Sequence, residues 1–339
     1  MNYDETALNE FKQLIDNAKH VLIIQAERVD ADSLGSSLGL EAALMHAGVE
    51  TTLYCYNEVP SYLRHMPGWD RVTNELPSSF DISILVDSST TNQLERTWAE
   101  HKKPLLSKPF VCIDHHMSET GRIEGDNVHY LIDKQAGASS QQIVELARHF
   151  EWQIDKDSAY ALASGIKADT VNLSTKQTTA DTFMAMAYLV EQGADLESLR
   201  AAIEKTSSIP ASQLHLRGEV LQRTQFFRDN TIAFTYFTAA ECDALSEDKL
   251  LIEKMKHELR TLQEVEISIV ITEKSGYSNA SMRANIDVAR LVAEHFGGGG
   301  HDRAASCRFE DATHEQVIEK MTPILHAKMD EHDEQTQAL

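Results

Sequence analysis

The sequence has no arrangement suited to sulfur ligation. Its four cysteines, Cys55, Cys112, Cys242 and Cys307, stand far apart with no Cys-x-x-Cys pair, which argues against a zinc knuckle or a disulfide framework and leaves buried free thiols. Long apolar runs are missing too. None is long enough to span a bilayer, and residues 1–5 lack the basic region of a signal peptide, so the chain is expected in the cytoplasm without a membrane partner. Positive charge is scarce: Lys and Arg number 31 against 53 Asp and Glu, a net −22. A surface so negative repels long nucleic acid, whose binding needs many phosphate contacts, but tolerates a small phosphorylated ligand held in a local pocket. There is no internal repeat, and the polar stretch 330–339 is expected to fray.

What is present is an alternation of short apolar runs with helical patterns. At 339 residues two domains are the default. Helices are expected over 5–20, 34–45, 139–150, 158–166 and 178–191, the last with Thr178 and Asp181 as a capping pair. Strands are expected at 21–24, 51–56, 82–86, 110–113 and 128–132, joined by a polar helix and connector over 91–109 and a loop over 117–127. Strand-helix alternation of this kind indicates βαβ units and a parallel sheet. Gly35 and Gly39 would let their helix approach that sheet closely, and Gly48 ends it. A helical connector over 196–216, interrupted by Pro210, separates a first domain, 1–195, from a second, 217–330, with 331–339 as tail. The second domain carries expected strands at 231–237, 265–272 and 279–283, a helix over 249–261, a stretch over 288–296 that runs into the glycines, and one more helix from 311.

The chemistry gathers at strand ends. Phe110-Val-Cys-Ile runs into Asp114-His115-His116, Ile82-Ser-Ile-Leu-Val runs into Asp87, and Val21-Leu-Ile-Ile is followed by Asp30-Ala-Asp32. In a parallel sheet these groups emerge at one edge, where open α/β sheets bind ligands. Asp169, after a short apolar helix, adds a fourth acidic position. A single such aspartate is ordinarily a turn former or helix cap, but several close together raise one another's pKa and destabilise the fold unless a cation compensates. Carboxylates with imidazole and no sulfur suit a borderline-hard divalent ion such as Mn²⁺. Asp87, at the end of a central strand, is placed to bridge two ions about 3.5–4 Å apart, an arrangement that activates water toward a phosphoester. Further on, Gly297-Gly298-Gly299-Gly300-His301 is either a flexible turn or a place where backbone N–H groups meet a phosphate or base, with His301 donating to an oxyanion. Arg283 alone reads as a surface salt-bridge partner.

Taken together, Asp30-Ala-Asp32-Ser-Leu-Gly-Ser, Asp87, Asp114-His115-His116, Gly165-Ile-Lys-Ala-Asp169-Thr170 and Gly297-Gly-Gly-Gly-His301-Asp-Arg-Ala-Ala resemble, in order and spacing, the DHH phosphoesterases with a DHHA1 domain, and most closely the nanoRNase and pAp phosphatase branch. The resemblance runs from about residue 22 to 309. It implies an α/β fold: a doubly wound parallel-sheet catalytic domain, a helical linker and a smaller mixed α/β domain that holds the nucleotide over Mn²⁺. It implies that Asp30 and Asp87 bind one ion and that Asp32, Asp87, His115 and Asp169 bind the other. Asp114 would orient His115 and His116 would face the substrate phosphate, these two and Asp87 forming the catalytic set. Ser281, Arg283, Gly298, Gly299, Gly300 and His301 would bind substrate.

The sequence departs from the family pattern in four places. Ala26 stands where the family has its first histidine, with Gln25 and Glu27 as neighbouring oxygen donors. Val29 replaces a proline, and Val171 and Ser306 replace glycines. The function implied is hydrolysis of short oligonucleotides, linear dinucleotides or 3′,5′-bisphosphonucleosides, with one or two Mn²⁺ ions. A degenerate, non-catalytic nucleotide-binding module and a cyclic-dinucleotide phosphodiesterase are the alternatives. An inorganic pyrophosphatase ranks low, because it shares the catalytic motifs without the glycine-His domain. The expected partner is a small nucleotide or short oligonucleotide; a homodimer is allowed for.

Overall fold

Five-residue aliphatic runs become buried parallel strands when helices cover both faces of the sheet they form. In the computed structural model, which describes residues 3–116, 121–206, 208–245 and 250–337, this happens in the first of two units, Met1–Thr206 and Ser207–Leu339. The first unit runs α1 (Glu5–Asn17), β1 (His20–Ile24), α2 (Ala31–His46), β2 (Glu50–Tyr54), β3 (Ile82–Val86), α3 (Glu95–Leu106), β4 (Phe110–Asp114), β5 (Val128–Ile132), α4 (Ser139–His149), α5 (Lys156–Asp169), α6 (Ala180–Glu191) and α7 (Leu196–Thr206). All five strands are parallel, in the order β2-β1-β3-β4-β5. Val21 and Ile23 of β1 pack with α1, α2, α4 and α5, whereas Leu22 and Ile24 pack on the opposite face beside Leu105 of α3. The chain therefore leaves β1 toward one face and β3 toward the other, and the crevice between those two strand ends is the topological switch point.

α2 is buried along most of its length, and its glycines serve a different neighbour from the one expected. A Cβ on Gly35 would lie 2.5 Å from Ala161 O and one on Gly39 2.5 Å from Leu162 Cδ2. The close approach is thus to α5 rather than to the sheet, because α2 is sandwiched between them. α6 starts two residues later than expected. Thr179 caps it, accepting from Thr182 N while Thr182 Oγ1 accepts from Thr179 N.

Val171, Asn172 and Leu173 all have left-handed backbone (φ +46°, +56° and +65°), directly after the Asp169-Thr170 end of α5. A β-branched residue costs about 1–2 kcal/mol there, and Val171 is 61% exposed, so burial returns little of it. Val171→Gly is expected to stabilise the first unit by about 1 kcal/mol after the extra chain entropy of glycine. Thermal unfolding would register this as a midpoint roughly 2–4 °C higher; a lower midpoint would mean that the valine side chain makes a contact that outweighs its strain.

The second unit comprises α8 (Leu214–Gln222), β6 (Gln225–Phe227), β7 (Ile232–Phe237), α9 (Ala239–Ala244), α10 (Leu250–Arg260), β8 (Ile267–Lys274), β9 (Tyr277–Ala284), α11 (Ala289–His295), β10 (Gly299–His301), β11 (Ala304–Glu310) and α12 (His314–Gln337). Its mixed sheet has the order β10-β11-β9-β8-β7-β6, with only β7 and β8 parallel. One face packs on α11 and α12 and the other, near β7 and β8, on α8 to α10.

The expected connector over 196–216 is two helices separated by Pro210 and a 3-10 turn, and the units divide between residues 206 and 207. The tail does not fray at 330. α12 continues to Gln337 because Arg228 holds it, with Nη2 2.6 Å from Asp330 Oδ1 and 2.8 Å from Asp333 Oδ2. Of the expected loop over 117–127, residues 117–120 lie outside the described residues, as do 249 of the expected helix over 249–261 and 338–339 of the tail. Among the described residues, no helix is long and apolar enough to cross a membrane.

Candidate metal centre

Asp30 and Asp32 follow β1, Asp87 follows β3, and Asp114 ends β4 with His115 and His116 behind it. Parallel pairing brings all of them to the carboxyl edge of the sheet, and Asp169 arrives as the last residue of α5. Asp87 turns out of its strand through a left-handed backbone, φ +60°, held by its own N–H donating to Ile113 O at 2.8 Å. Such a conformation costs of order 1–3 kcal/mol and persists where the surroundings over-determine it. Aspartate is among the few side chains that tolerate it.

His115 Nε2 lies 3.1 Å from Asp169 Oδ2, 3.6 Å from Asp87 Oδ1 and 3.8 Å from Asp32 Oδ2. It is buried, yet it makes no well-directed hydrogen bond. Two overlapping sets of ligand atoms, Asp32-His115-Asp169 and Asp87-His115-His116, each fall within 4.8 Å. Asp32 is fixed from behind by the amino end of α4, where Ser139 N and Ser140 N donate to its Oδ2 and Oδ1 at 2.6 and 2.8 Å. Ser139 Oγ donates to Asp87 Oδ1 at 3.1 Å. These donors leave each carboxylate lone pairs to spare. Gly165 completes the wall, since a Cβ there would stand 2.8 Å from Asp32 Oδ1.

The electrostatics are those of a site short of positive charge. Burial pushes Asp87 well above the usual carboxylate range, and Asp32, Asp30, Asp169 and Asp114 push it further. Burial and Asp169 raise Asp32 against the opposing pull of His115 and Ser140. Burial opposes an imidazolium at His115, but the Asp169, Asp32 and Asp114 carboxylates outweigh it and lift the ring to about 9. A buried imidazole nitrogen facing three mutually repelling carboxylates fits a divalent cation of the Mn²⁺ or Mg²⁺ type.

The other expected residues fall out as follows. Asp30 lies outside both ligand sets. It caps α2, its Oδ1 accepting from Asp32 N and Ser33 N at 3.1 and 2.9 Å. Asp114 supports His116 rather than His115. Its Oδ1 accepts from His116 N at 3.1 Å and lies 2.7 Å from His116 Nδ1, while Oδ2 accepts from Ser89 Oγ at 2.7 Å. The carboxylate has folded back on its own chain two residues on, a local geometry that support for His115 would have to break. Burial drives Asp114 up, but the bonds from His116 and Ser89 prevail and hold it below the usual carboxylate range. Ala26 is buried, and its carbonyl accepts from Cys55 Sγ. Of its neighbours, Glu27 is committed, accepting from Thr97 N at 2.7 Å in the first turn of α3. Gln25 is fully buried with neither amide atom partnered among the described residues.

In the second unit, Arg283 pairs with Ala304 and Ala304 with His301, while Ser281 pairs with Ser306 and Ser306 with Gly299. Directly opposed residues share a face, so Ser281, Arg283 and His301 line one surface. Gly299 and Gly300 open a hairpin strand, whereas Gly297 lies in the turn that follows α11, with φ +72°. Gly298 and Gly300 are needed by the hairpin itself, for Cβ atoms there would strike the backbone of β11, whereas Gly299 has open space beside it. Sequence reasoning missed the supporting serines, Ser89, Ser139 and Ser140. The only hint was the small-residue stretch Ala136-Gly-Ala-Ser-Ser140 after β5.

Comparison with known proteins agrees with this geometry. Residues 20–166 match the DHH family, N-terminal domain. The A-adding tRNA nucleotidyltransferase of Aquifex aeolicus is 26% identical over 91% of this chain, which spans only 35% of that protein's length. The bifunctional oligoribonuclease and PAP phosphatase NrnA of Thermus thermophilus is 26% identical over 86% of this chain and 85% of its own. Among solved structures, an exopolyphosphatase-related protein from Bacteroides fragilis superposes with a TM-score of 0.79 at 20% identity, covering 95% of this chain and 98% of that one. RecJ from Thermus thermophilus, in complex with Mn²⁺, superposes at 0.50 and 15% identity, covering 95% of this chain and 54% of that one. At such identities the two structures speak for the fold alone. The matched segment runs from β1 into α5 with the motif strands in the family's order, so over residues 20–166 the chain resembles the N-terminal domain of the DHH family.

Proposed function

We propose that this protein is a metal-dependent phosphoesterase acting on short oligonucleotides, linear dinucleotides or 3′,5′-bisphosphonucleosides. The observation that carries the reading is His115 Nε2, buried, without a directed hydrogen bond and within 3.1–3.8 Å of three carboxylates. Asp32, Asp87, His115 and Asp169 would hold the ion. A divalent ion bound there supplies an activated water and neutralises charge on the phosphoryl oxygens. His116 has a half-exposed side chain and its Nδ1 engaged by Asp114, which leaves Nε2 to donate to a phosphate oxygen or to the departing alkoxide. The hydrogen bond to Asp114 raises the His116 pKa against the effect of burial, which keeps a proton available at that atom. The α4 amino end fixes Asp32, and Ser139 Oγ fixes Asp87, so the donors are oriented before substrate arrives.

The substrate class rests on likeness to the NrnA proteins, named as oligoribonuclease and PAP phosphatase, and on a net charge of −22 that disfavours long polyanions. The deciding experiment is a hydrolysis panel of pAp, linear and cyclic dinucleotides and pyrophosphate, each with added Mn²⁺. Turnover of pAp or a linear dinucleotide is expected, and failure on every member would reject the reading.

One observation favours a weaker first metal site: Ala26 replaces an imidazole, and Asp30 is engaged in capping α2. Ala26→His is expected to tighten Mn²⁺ binding by about tenfold, read by calorimetric titration. A flat response would mean that Gln25 or another group already supplies the donor.

A further inference from the structure

α6 is apolar on both sides. Its inner side, Thr182, Ala185, Met186 and Leu189, is buried. On its outer side Phe183, Met184 and Val190 stay 54%, 53% and 49% exposed, with exposed Ala180 and Ala187 among them. Residues 182–190 carry no charge, although 25% of the chain is charged. Single exposed apolar side chains are ordinary. A continuous stripe along a helix is not, because a helix that is apolar all round is normally covered.

The spacing of the stripe identifies the kind of cover. Ala180, Met184, Ala187 and Glu191 stand 4, 3 and 4 residues apart, the seam spacing by which helices pack side by side. Such a seam also fits itself. In an antiparallel pair related by a two-fold axis between residues 184 and 187, Met184 of each copy fills the space left by Ala187 of the other. Charge fixes the direction. α6 has no basic residue in its last turn and ends on Glu191, so within one chain a carboxylate sits at the negative end of the helix dipole. An antiparallel copy sets the positive amino end of its own α6 against that carboxylate, and symmetry repeats the contact. Two chains that each carry a net charge of −22 repel one another over most of their surface, and the uncharged length of α6 avoids that penalty.

We propose that the outer face of α6 is an interface between two copies of this chain, packed with their α6 helices antiparallel. A helix of 12 residues is about 18 Å long and covers less than the roughly 800 Å² per partner of a standard interface. The dimer is therefore one that dissociates on dilution through the micromolar range. Its formation needs neither metal nor substrate.

Sedimentation velocity of the full chain over a range of concentrations tests the contact. Wild type is expected to pass from monomer to dimer as concentration rises. Met184→Lys should stay monomeric throughout, with the melting point of the dilute protein unchanged because that side chain is exposed. Glu191→Lys should weaken the dimer by about tenfold while raising the melting point of the monomer, since the reversed charge suits its own helix end and opposes the partner's. Direction is read by oxidation. All four native cysteines are buried, so a new disulfide reports the introduced thiol alone. Ala187→Cys, close to the two-fold axis, should give a covalent dimer. Ala180→Cys should not, because its two copies would stand about 16 Å apart along the seam. A wild type that is monomeric at every concentration, or a dimer that Met184→Lys leaves intact, would overturn the interface. So would a lower melting point for dilute Met184→Lys, which would mean that the side chain packs within its own chain. Equal cross-linking at both cysteine positions, or a tighter dimer in Glu191→Lys, would overturn the antiparallel arrangement.

Discussion

Asp87→Asn is expected to lower metal-dependent hydrolysis of a linear dinucleotide by about a thousandfold, the loss of several kcal/mol of charge stabilisation at the reacting phosphate. The fold should survive unchanged. Asparagine is isosteric, it tolerates the left-handed backbone at this position (φ +60°), and its Oδ1 can still accept from Ser139 Oγ, now at 3.1 Å. In the metal-free protein, stability should hold or rise, because the carboxyl removed is one that burial and four neighbouring aspartates push well above its usual range. Assay and thermal melt are therefore expected to move independently. Full activity in the variant would reject the role assigned to Asp87, and a collapse of both would mean that the residue is structural.

The imidazole should behave in the opposite sense. His115→Ala removes the one nitrogen facing Asp32, Asp87 and Asp169, and Mn²⁺ affinity is expected to fall by about a hundredfold, the upper end for groups that shape a metal site. The metal-free protein should also melt lower. His115, lifted to about 9, is protonated at neutral pH, so its loss leaves mutually repelling carboxylates without their nearest cation. Calorimetric Mn²⁺ titration together with metal-free melts checks both statements. Unchanged affinity would remove His115 from the ligand set, and an unchanged or raised melting point would contradict the electrostatic account.

These two residues were legible in the sequence because strand ends are local. An apolar run of five residues ending in a carboxylate carries its own placement, and parallel pairing does the rest. What surrounds them was not legible. Ser139 and Ser140 act on Asp32 through backbone N–H groups, and any sequence offers those. That Asp114 would turn to His116 rather than His115 depends on one side-chain rotation at a strand end. Gly35 and Gly39 look alike whether a helix meets a sheet or another helix; only the covering position of α5 decides it. The strand Ala304–Glu310 went unnoticed because the alternation of buried and exposed residues is carried by Ala305, Cys307 and Phe309, two of them small. With it went the register that sets Arg308 beside Asn279. The C-terminal residues looked like a frayed tail because the arginine that holds them, Arg228, lies about a hundred positions upstream.

The claim on which all of this stands is that side chains from four separate segments grip a divalent cation. Crystals grown with Mn²⁺ test it most directly through an anomalous difference map collected near the manganese edge. The account predicts a strong peak about 2.0–2.2 Å from ligand atoms of Asp32, Asp87, His115 and Asp169. A map without a peak among these four, or with manganese only elsewhere on the protein, would contradict it.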